Sequence, residues 1–366
     1  MTRQRGSSLV ELMVAVTLAL LTALVVLQVL SVFEARKRTT TTGNDAQVGA
    51  AIGLFMVERQ LRSAGAGLMR PGGFACNAGI NVYFDDGVVL DAQPLAPVIV
   101  TDGGDGVDTV RTVHSSAPFG TAHATIVKSM PTPSSILTVG GNAGLVEGDL
   151  FIAGSPDGNK ICTLMQMTKD AQATGNGWNL THNSGESDYN PPNPDHVFAN
   201  PVAYDIGDIV FNLGSLGMRA VSVVCDDGGE PSASNRCDLA GFDPLIAPDN
   251  PTLDDVESIV GQVVDFQVQY GVAPAGSQSV DEWVDAEGAT WGNPDMTAIA
   301  RIKALRIAVV TRGNREPQMV SPEEIVLWDP GEATERVRAL SDEERRYRYR
   351  VLTSVVPLVN VIWAGI

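Results

Sequence analysis

Histidine is scarce in this sequence, and the motifs of the common hydrolase and nucleotide-binding classes are missing. The four histidines lie apart from one another, no H-E-x-x-H motif occurs, and no G-x-S-x-G motif precedes a helix. The glycines at 65–67 and 103–104 come without the lysine or the following helix of a phosphate-binding loop. The sequence therefore predicts a protein that is not an enzyme and needs no cofactor.

Positive charge is also scarce. The chain has 25 Lys and Arg residues and 43 Asp and Glu residues, which gives a net charge of −18 at pH 7. Such a surface repels phosphate groups, so we expect no nucleic-acid partner and no binding of the globular part to anionic lipid. The segment Arg345–Arg350 alternates basic and aromatic side chains, a pattern that nucleic-acid-binding surfaces also use. We interpret it instead as a strand in which Tyr347 and Tyr349 face the core.

Charged side chains are absent from residues 12–33, which are almost entirely apolar. A run of 22 such residues is long enough to cross about 30 Å of hydrocarbon as a helix. It exceeds the apolar region of a cleaved signal peptide, and no A-x-A-like cleavage site follows it. A plain transmembrane anchor is the main alternative.

Two features near the start of this run indicate more than an anchor. A short basic leader ends at Gly6, and Glu11 is the lone carboxylate near the start of the apolar run. A carboxylate in that position is costly unless it is paired or lies near a helix N-terminus. Cleavage between Gly6 and Ser7 would supply a free amine as the partner and make Glu11 the fifth residue of the mature chain.

The segment from Gly6 to Val14, GSSLVELMV, resembles the processing signal of type IV prepilins. The resemblance implies that a prepilin peptidase cuts after Gly6, that Ser7 becomes the N-methylated first residue, and that Glu11 docks the subunit into a filament. The sequence departs from the family in one respect, since the first mature residue is usually phenylalanine.

A second helical pattern, from about 45 to 63, carries an apolar stripe at Val48, Ala51, Ile52 and Phe55. We expect this stripe to pack against the globular part. The residues between the two patterns, 39–44, are threonine-rich and favour either a weakened stretch of one long helix or a surface turn. Glycines and Pro71 end the helical pattern.

The rest of the chain reads as strands and loops, which predicts an α+β protein with an antiparallel β-rich head and long loops. The clearest alternations of apolar and polar side chains lie in 107–114, 264–272, 302–312 and 347–356, and strands are also expected within 136–168. Residues 170–204 and 226–256 are rich in turn-forming residues and predict surface loops. The predicted organisation is a leader at 1–6, a helix at 7–65 with 12–33 in the membrane, and a head at 66–366.

Only four cysteines occur, without a C-x-x-C pair or a zinc-finger spacing. An even number in an exported chain indicates two disulfides. Cys225 and Cys237 flank the polar loop DDGGEPSASNR, which a local bridge would close, and the pair Cys76–Cys162 then follows by elimination. Four buried thiols are the alternative.

No metal site is predicted, with one weaker alternative. Asp102, Asp105 and Asp108 have a spacing that could suit calcium, although the distal glutamate of an EF-hand is missing. An acidic turn leading into a strand is the favoured interpretation.

Four further segments resemble PilW-type minor pilins: 53–70 (GLFMVERQLRSAGAGLMR), 263–288, 298–312 and 347–360 (YRYRVLTSVVPLVN). The resemblance implies a minor pilin that primes type IV pilus assembly and sits at the filament tip, with adhesion and motility as its tasks. It implies a single-pass inner-membrane protein whose head is periplasmic, and extracellular once assembled.

The implied partners are other minor pilins, the major pilin, the prepilin peptidase, the inner membrane and a tip adhesin. A J-type minor pseudopilin of type II secretion and a tip adhesin or ligand-binding module are the alternative functions.

Overall fold

The computed structural model describes residues 9–70, 73–74, 76–116, 123–248, 250–331 and 335–364. Within them, a long N-terminal helix leads into a head of antiparallel β-sheets with long loops. The predicted α+β class is confirmed.

Helix α1 (Leu9–Ser63) is one element of 55 residues, about 80 Å long at 1.5 Å per residue. Its first part, Leu9–Ser31, is long and apolar enough to cross a membrane, and the rest of the described chain covers none of it. Residues 39–44 are helical, so the interpretation of this stretch as a surface turn is wrong. The modest helix propensity of threonine is outweighed by the strong helix formers on both sides.

The head contains 22 strands, three short α-helices and one 3-10 helix (Glu344–Arg346) among the described residues. Strands β1 to β11 are Met69–Arg70, Gly73–Phe74, Ile80–Phe84, Gly87–Gln93, Val98–Thr101, Thr109–Ser115, Ala124–Lys128, Leu137–Val139, Leu150–Gly154, Cys162–Gln166 and Gln172–Thr174. Strands β12 to β22 are Gly177–Leu180, Ile209–Gly214, Leu216–Cys225, Cys237–Phe242, Glu257–Gly261, Val263–Val272, Glu282–Val284, Ile302–Arg315, Glu324–Trp328, Arg336–Ala339 and Tyr347–Pro357. The helices are α2 (Gly288–Trp291), α3 (Met296–Arg301) and α4 (Val359–Trp363).

Two of the sheets form the part of the head on which α1 rests. One has the order β18-β17-β19-β22 and the other β16-β15-β14-β6-β5, and both are antiparallel. Strand β17 is buried along its whole length, because α1 lies on one face of its sheet and the β20–β21 hairpin lies on the other. The largest hydrophobic core of the head lies where α1 and these two sheets meet.

A third sheet of nine strands has the order β11-β12-β8-β7-β13-β9-β10-β3-β4. It has two hydrophobic cores of its own. Its strands come from 80–93 and 124–214, which lie before and after β5 and β6 in the chain. Residues 170–204 and 226–256 are mostly loops, as predicted, but they contain the short strands β11 and β12. The surface-loop prediction is wrong for β15, which is buried between β14 and β16.

The apolar stripe predicted to pack against the head faces away from it. Val48, Ile52 and Phe55 are 50–64% exposed. The residues that do pack against the sheets lie on a different face of α1; they are Ala50, Gly53, Val57, Leu61 and Ala64. Both faces carry apolar side chains at helical spacing, so periodicity alone could not tell which one meets the head.

Candidate assembly interface: helix α1 and the head beneath it

The first residues of the predicted processing site, Gly6 and Ser7, lie outside the described residues. Glu11 lies in the first turn of α1 and is exposed. It is the one charged residue from Leu9 to Phe33. A carboxylate in the first turn is favoured by the positive end of the helix dipole, and its exposure leaves it open to a cationic partner.

The hydroxyl groups within the apolar segment are bonded to their own helix. Thr17 donates to the carbonyls of Met13 and Val14 at 3.1 and 2.9 Å. Thr22 donates to the carbonyls one turn earlier in the same way, and Ser31 donates to Gln28 O at 2.8 Å. A hydroxyl that bonds its own helix needs no water, so this segment is compatible with lipid or with a dry helix bundle.

The second part of α1 approaches the five-stranded sheet closely because it presents glycine there. A Cβ at Gly53 would come within 2.9 Å of Val260 Cγ2 on β16, and one at Gly49 would lie 3.4 Å from Val260 Cγ1. The sequence analysis missed this role, although the spacing Gly49-x-x-x-Gly53, with both residues on one face of a helix, is a detectable signal.

Polar contacts fix the same helix to both sheets. Ser354 on β22 donates to Glu58 Oε1 at 2.5 Å, and Glu58 also lies 3.5 Å from Arg62. Gln60 donates from Nε2 to Thr112 Oγ1 at 3.1 Å and to Arg219 O at 3.3 Å. The segment that resembles the helix end of PilW-type pilins therefore contacts β22, β6 and β14 at once.

The C-terminal end of α1 is joined to β6 by backbone bonds. Gly65 N donates to Val113 O at 2.8 Å, and Ser115 N donates to Ala66 O at 2.8 Å. Gly67 has φ 73°, and a Cβ there would lie 2.6 Å from Ser115 Cβ, so only glycine fits. On the other side, Asn360 donates to Ala64 O at 2.9 Å. The direction in which α1 leaves the head is set by these contacts.

An apolar face of α1 remains uncovered opposite the head. Val48, Ile52, Phe55 and Met56 are each at least 45% exposed, at the helical spacing i, i+4, i+7 and i+8. The mostly polar residues 34–47 separate these four side chains from the exposed apolar segment that begins at Leu9. A cluster of exposed apolar side chains on a protein usually marks contact with another protein or with lipid.

All four cysteines are bonded in the pairs that the sequence analysis gave. Cys225 and Cys237 are directly opposite each other on β14 and β15, with Cα atoms 4.0 Å apart. Cys76 and Cys162 have Cα atoms 5.7 Å apart and join residues separated by 86 positions. The second bridge connects the segment that follows α1 to the nine-stranded sheet.

The loop closed by Cys225 and Cys237 is held against the four-stranded sheet. Arg312, which is almost fully buried on β19, donates to the carbonyls of Ser232 and Asn235. Tyr347 donates its hydroxyl to Ala233 O at 3.2 Å, and its ring lies 5.2 Å from the Arg312 guanidinium. Tyr347 therefore supports the loop, and its neighbour Arg348 is exposed, which is the arrangement predicted for the Arg345–Arg350 segment.

Asp102, Asp105 and Asp108 do not converge on a cation site. Asp108 is buried, and its two carboxylate oxygens accept from Gly103 N at 3.0 Å and Val268 N at 2.7 Å. Burial raises its pKa to about 7. No three acidic, histidine or cysteine side chains form a group able to hold a metal ion anywhere in the described ranges. The calcium alternative is thus wrong, because Asp108 is used to join the acidic turn to β17.

A family model described as Type IV Pilus-assembly protein W matches residues 240–360, about a third of the chain. No curated protein and no solved structure matches the chain. The matched segment contains β16, β17, β19 and β22, which carry most of the surface beneath α1. The match supports assignment of the chain to a PilW-like family, which implies a role in type IV pilus assembly.

Proposed function

We propose that the chain is a minor pilin of a type IV pilus that primes assembly in the inner membrane and takes a place at the filament tip. The observation that carries the proposal is the construction of α1. Its first half is apolar and uncovered, its second half is fixed to the head, and a single carboxylate lies in its first turn.

In this proposal, residues 1–6 are a cytoplasmic leader that a prepilin peptidase removes. The new amine at Ser7, which becomes methylated, then lies close to Glu11 in sequence. In the bilayer, α1 anchors the subunit with its head in the periplasm. On assembly, Glu11 pairs with the amine of a neighbouring subunit, since a carboxylate in a water-free bundle is stabilised only when it is paired.

The uncovered apolar face at Val48, Ile52, Phe55 and Met56 supports contact with other pilins. Burial of such side chains contributes about 1.5–3 kcal/mol each in the absence of opposing terms. Other minor pilins and the major pilin are the proposed partners. The glycine contact of α1 with β16 and the ties to β22 keep this face at a fixed angle to the head.

The nine-stranded sheet supports a position at the tip. It lies outside the matched segment and enlarges the head beyond the two sheets on which α1 rests. A subunit inside a filament shaft must fit neighbours above and below it, whereas a subunit at the tip has one free side. A tip adhesin or ligand-binding task for this sheet is a second candidate, and contact with a separate tip adhesin is the alternative arrangement.

The proposal is tested by deleting the gene and counting surface pili by electron microscopy. We expect few or no pili in the deletion strain and recovery with the full chain. Immunogold labelling of a tagged, complementing protein is expected at filament ends. Normal pili with a loss of protein secretion would instead indicate the J-type pseudopilin.

A further inference from the structure

A groove of about 610 Å³ lies on the head between the segment that follows β18 and the start of β21. Two tryptophans, Trp283 and Trp291, line it with parts of their rings exposed. Gln269, Asp285, Glu287, Glu335 and Arg336 supply its polar side chains. None of its lining residues belongs to α1, and none is among the residues described above as contacting that helix.

Both tryptophan rings already accept cations from this chain. The Arg301 guanidinium lies 5.4 Å from the centre of the Trp291 ring, and the Arg306 guanidinium lies 5.2 Å from that of Trp283. Such contacts are electrostatic attractions to the electron-rich face of the ring, and tryptophan is the strongest acceptor. Each tryptophan also keeps part of its surface exposed at the groove, where it can contact the apolar stem of a side chain.

The carboxylates of the groove add to this attraction. Between Asp281 and Glu287 the sequence is DEWVDAE, which has four acidic residues and no basic one. The one guanidinium that lines the groove belongs to Arg336, and it donates to Gly104 O. Among the residues that line the groove, three carboxylates (Asp285, Glu287 and Glu335) therefore outnumber one guanidinium.

Hydrogen bonds of the buried side chain of Gln269 hold one wall of the groove in place. Gln269 is buried on β17 and donates to Asp285 Oδ1 at 2.8 Å. The side-chain oxygen Oε1 of Gln269 accepts from Arg306 Nε at 3.1 Å. Arg306 in turn donates to both carboxylate oxygens of Asp329. The Asp285 carboxylate is thus positioned before any ligand arrives, which lowers the entropic cost of binding.

We propose that this groove binds a lysine or arginine side chain on a basic segment of a partner protein. Aromatic rings combined with carboxylates suit a cationic side chain with an apolar stem, which can lie along the rings while its charge meets Asp285 and Glu287. The net charge of −18 attracts basic segments over a longer range and speeds encounter. The inference goes beyond the proposed function, because peptide binding by the head does not require pilus assembly.

The test uses the full-length protein in a polyoxyethylene detergent, which carries neither charge nor sugar. The probe is the peptide acetyl-Gly-Lys-Gly-Arg-Gly-amide, titrated by calorimetry at about 150 mM salt, where long-range attraction is screened. The peptide with glutamine in place of Lys and Arg is the ligand control, and maltoheptaose tests for a carbohydrate site. We expect heat from the basic peptide and none from the other two.

Two variants with equal charge change separate the groove from general acidity. Asp285→Asn combined with Glu287→Gln is expected to weaken binding at least about fivefold. Glu147→Gln combined with Asp254→Asn, two exposed positions that do not line the groove, is expected to change it by less than about twofold. Equal weakening by both pairs, no binding of the basic peptide, or binding of maltoheptaose in its place would each overturn the proposal.

Discussion

Val260 on β16 lies against Gly53 of α1 so closely that no side chain fits between them. A Cβ at position 53 would approach Val260 Cγ2 to 2.9 Å, closer than carbon atoms in contact normally come. This contact fixes the distance between the helix and the five-stranded sheet. Because α1 carries both the apolar N-terminal segment and the uncovered apolar face, the same contact also helps to fix the angle between these surfaces and the head.

Replacement of Gly53 by leucine is therefore expected to destabilise the protein. Overpacking in a well-filled contact costs about 1–3 kcal/mol, and at most of this range the cost is larger than the gain of about 1 kcal/mol from removing a glycine within a helix. Gly49→Ala is the matched control, since its Cβ would make an ordinary contact at 3.4 Å, and it is expected to be neutral or stabilising. Urea unfolding in detergent measures both, and equal stability of the two variants would show that the close approach has no energetic role.

Asp108 is expected to make stability depend on pH. Its pKa is raised from 3.8 in the unfolded chain to about 7 in the fold, chiefly by burial. Between these values the native state holds a proton that the unfolded state has lost. The contribution of Asp108 is therefore present in full below about pH 4 and is lost as the pH rises through about 7.

The measurement is the free energy of unfolding of the natural protein minus that of Asp108→Asn, taken from about pH 5 to pH 8. The difference is expected to fall with rising pH by up to about 1.4 kcal/mol per unit, and to level off above pH 8. The subtraction removes the contributions of His114 and His182, whose lowered pKa values act in the opposite direction. A difference that rises or stays flat would show that Asp108 is ionised throughout this range.

The two disulfides are expected to differ in their effect on stability. The Cys76–Cys162 bridge spans 86 positions and the Cys225–Cys237 bridge spans 12. In the chain-entropy model, the stabilisation grows with the logarithm of loop length, so the longer bridge contributes about 1.7 kcal/mol more. Paired replacement of each bridge by serine, followed by urea unfolding, measures the two effects. A larger loss from the shorter bridge would indicate that its loop, held by Arg312 and Tyr347, matters more than chain entropy.

Glu11→Ala is expected to leave leader cleavage intact and to abolish or strongly reduce pilus assembly. The exposed first-turn carboxylate has no role in folding the head, and in the proposal it serves only to pair with an amine of a neighbour. Glu11→Gln keeps the size of the side chain and removes its charge. If the charge is required, this variant is expected to lose pilus assembly as Glu11→Ala does. Counts of surface pili and immunoblots of membrane fractions give the two readouts, and normal piliation of either variant would remove the docking role from Glu11.

The sequence was informative where structure is local. The spans of β17, β19 and β22 follow from alternation of apolar and polar side chains, and α1 follows from its composition. The orientation of α1 could not be derived, because the Val48 face and the Ala50 face are both apolar, and only the close approach at Gly53 distinguishes them. In the proposed function, one apolar face of the helix serves its own head and the other serves neighbouring subunits.

Long-range pairings explain the rest of what the sequence did not reveal. Strand β13 lies between β7 and β9, although about fifty residues or more separate it from each along the chain. No local pattern specifies such a pairing. The role of Asp108 could not be predicted for the same reason. Its spacing with Asp102 and Asp105 resembles that of a cation-binding loop, but its carboxylate accepts a hydrogen bond from Val268 N, 160 positions away.

The central claim is that proteolysis after Gly6 creates the amine that Glu11 needs. Intact mass measurement of the protein isolated from native membranes tests it most directly. The account predicts a chain that begins at Ser7, lighter by the mass of residues 1–6 and heavier by one methyl group. A molecule that still carries its first six residues would contradict it, whatever the structure of the head.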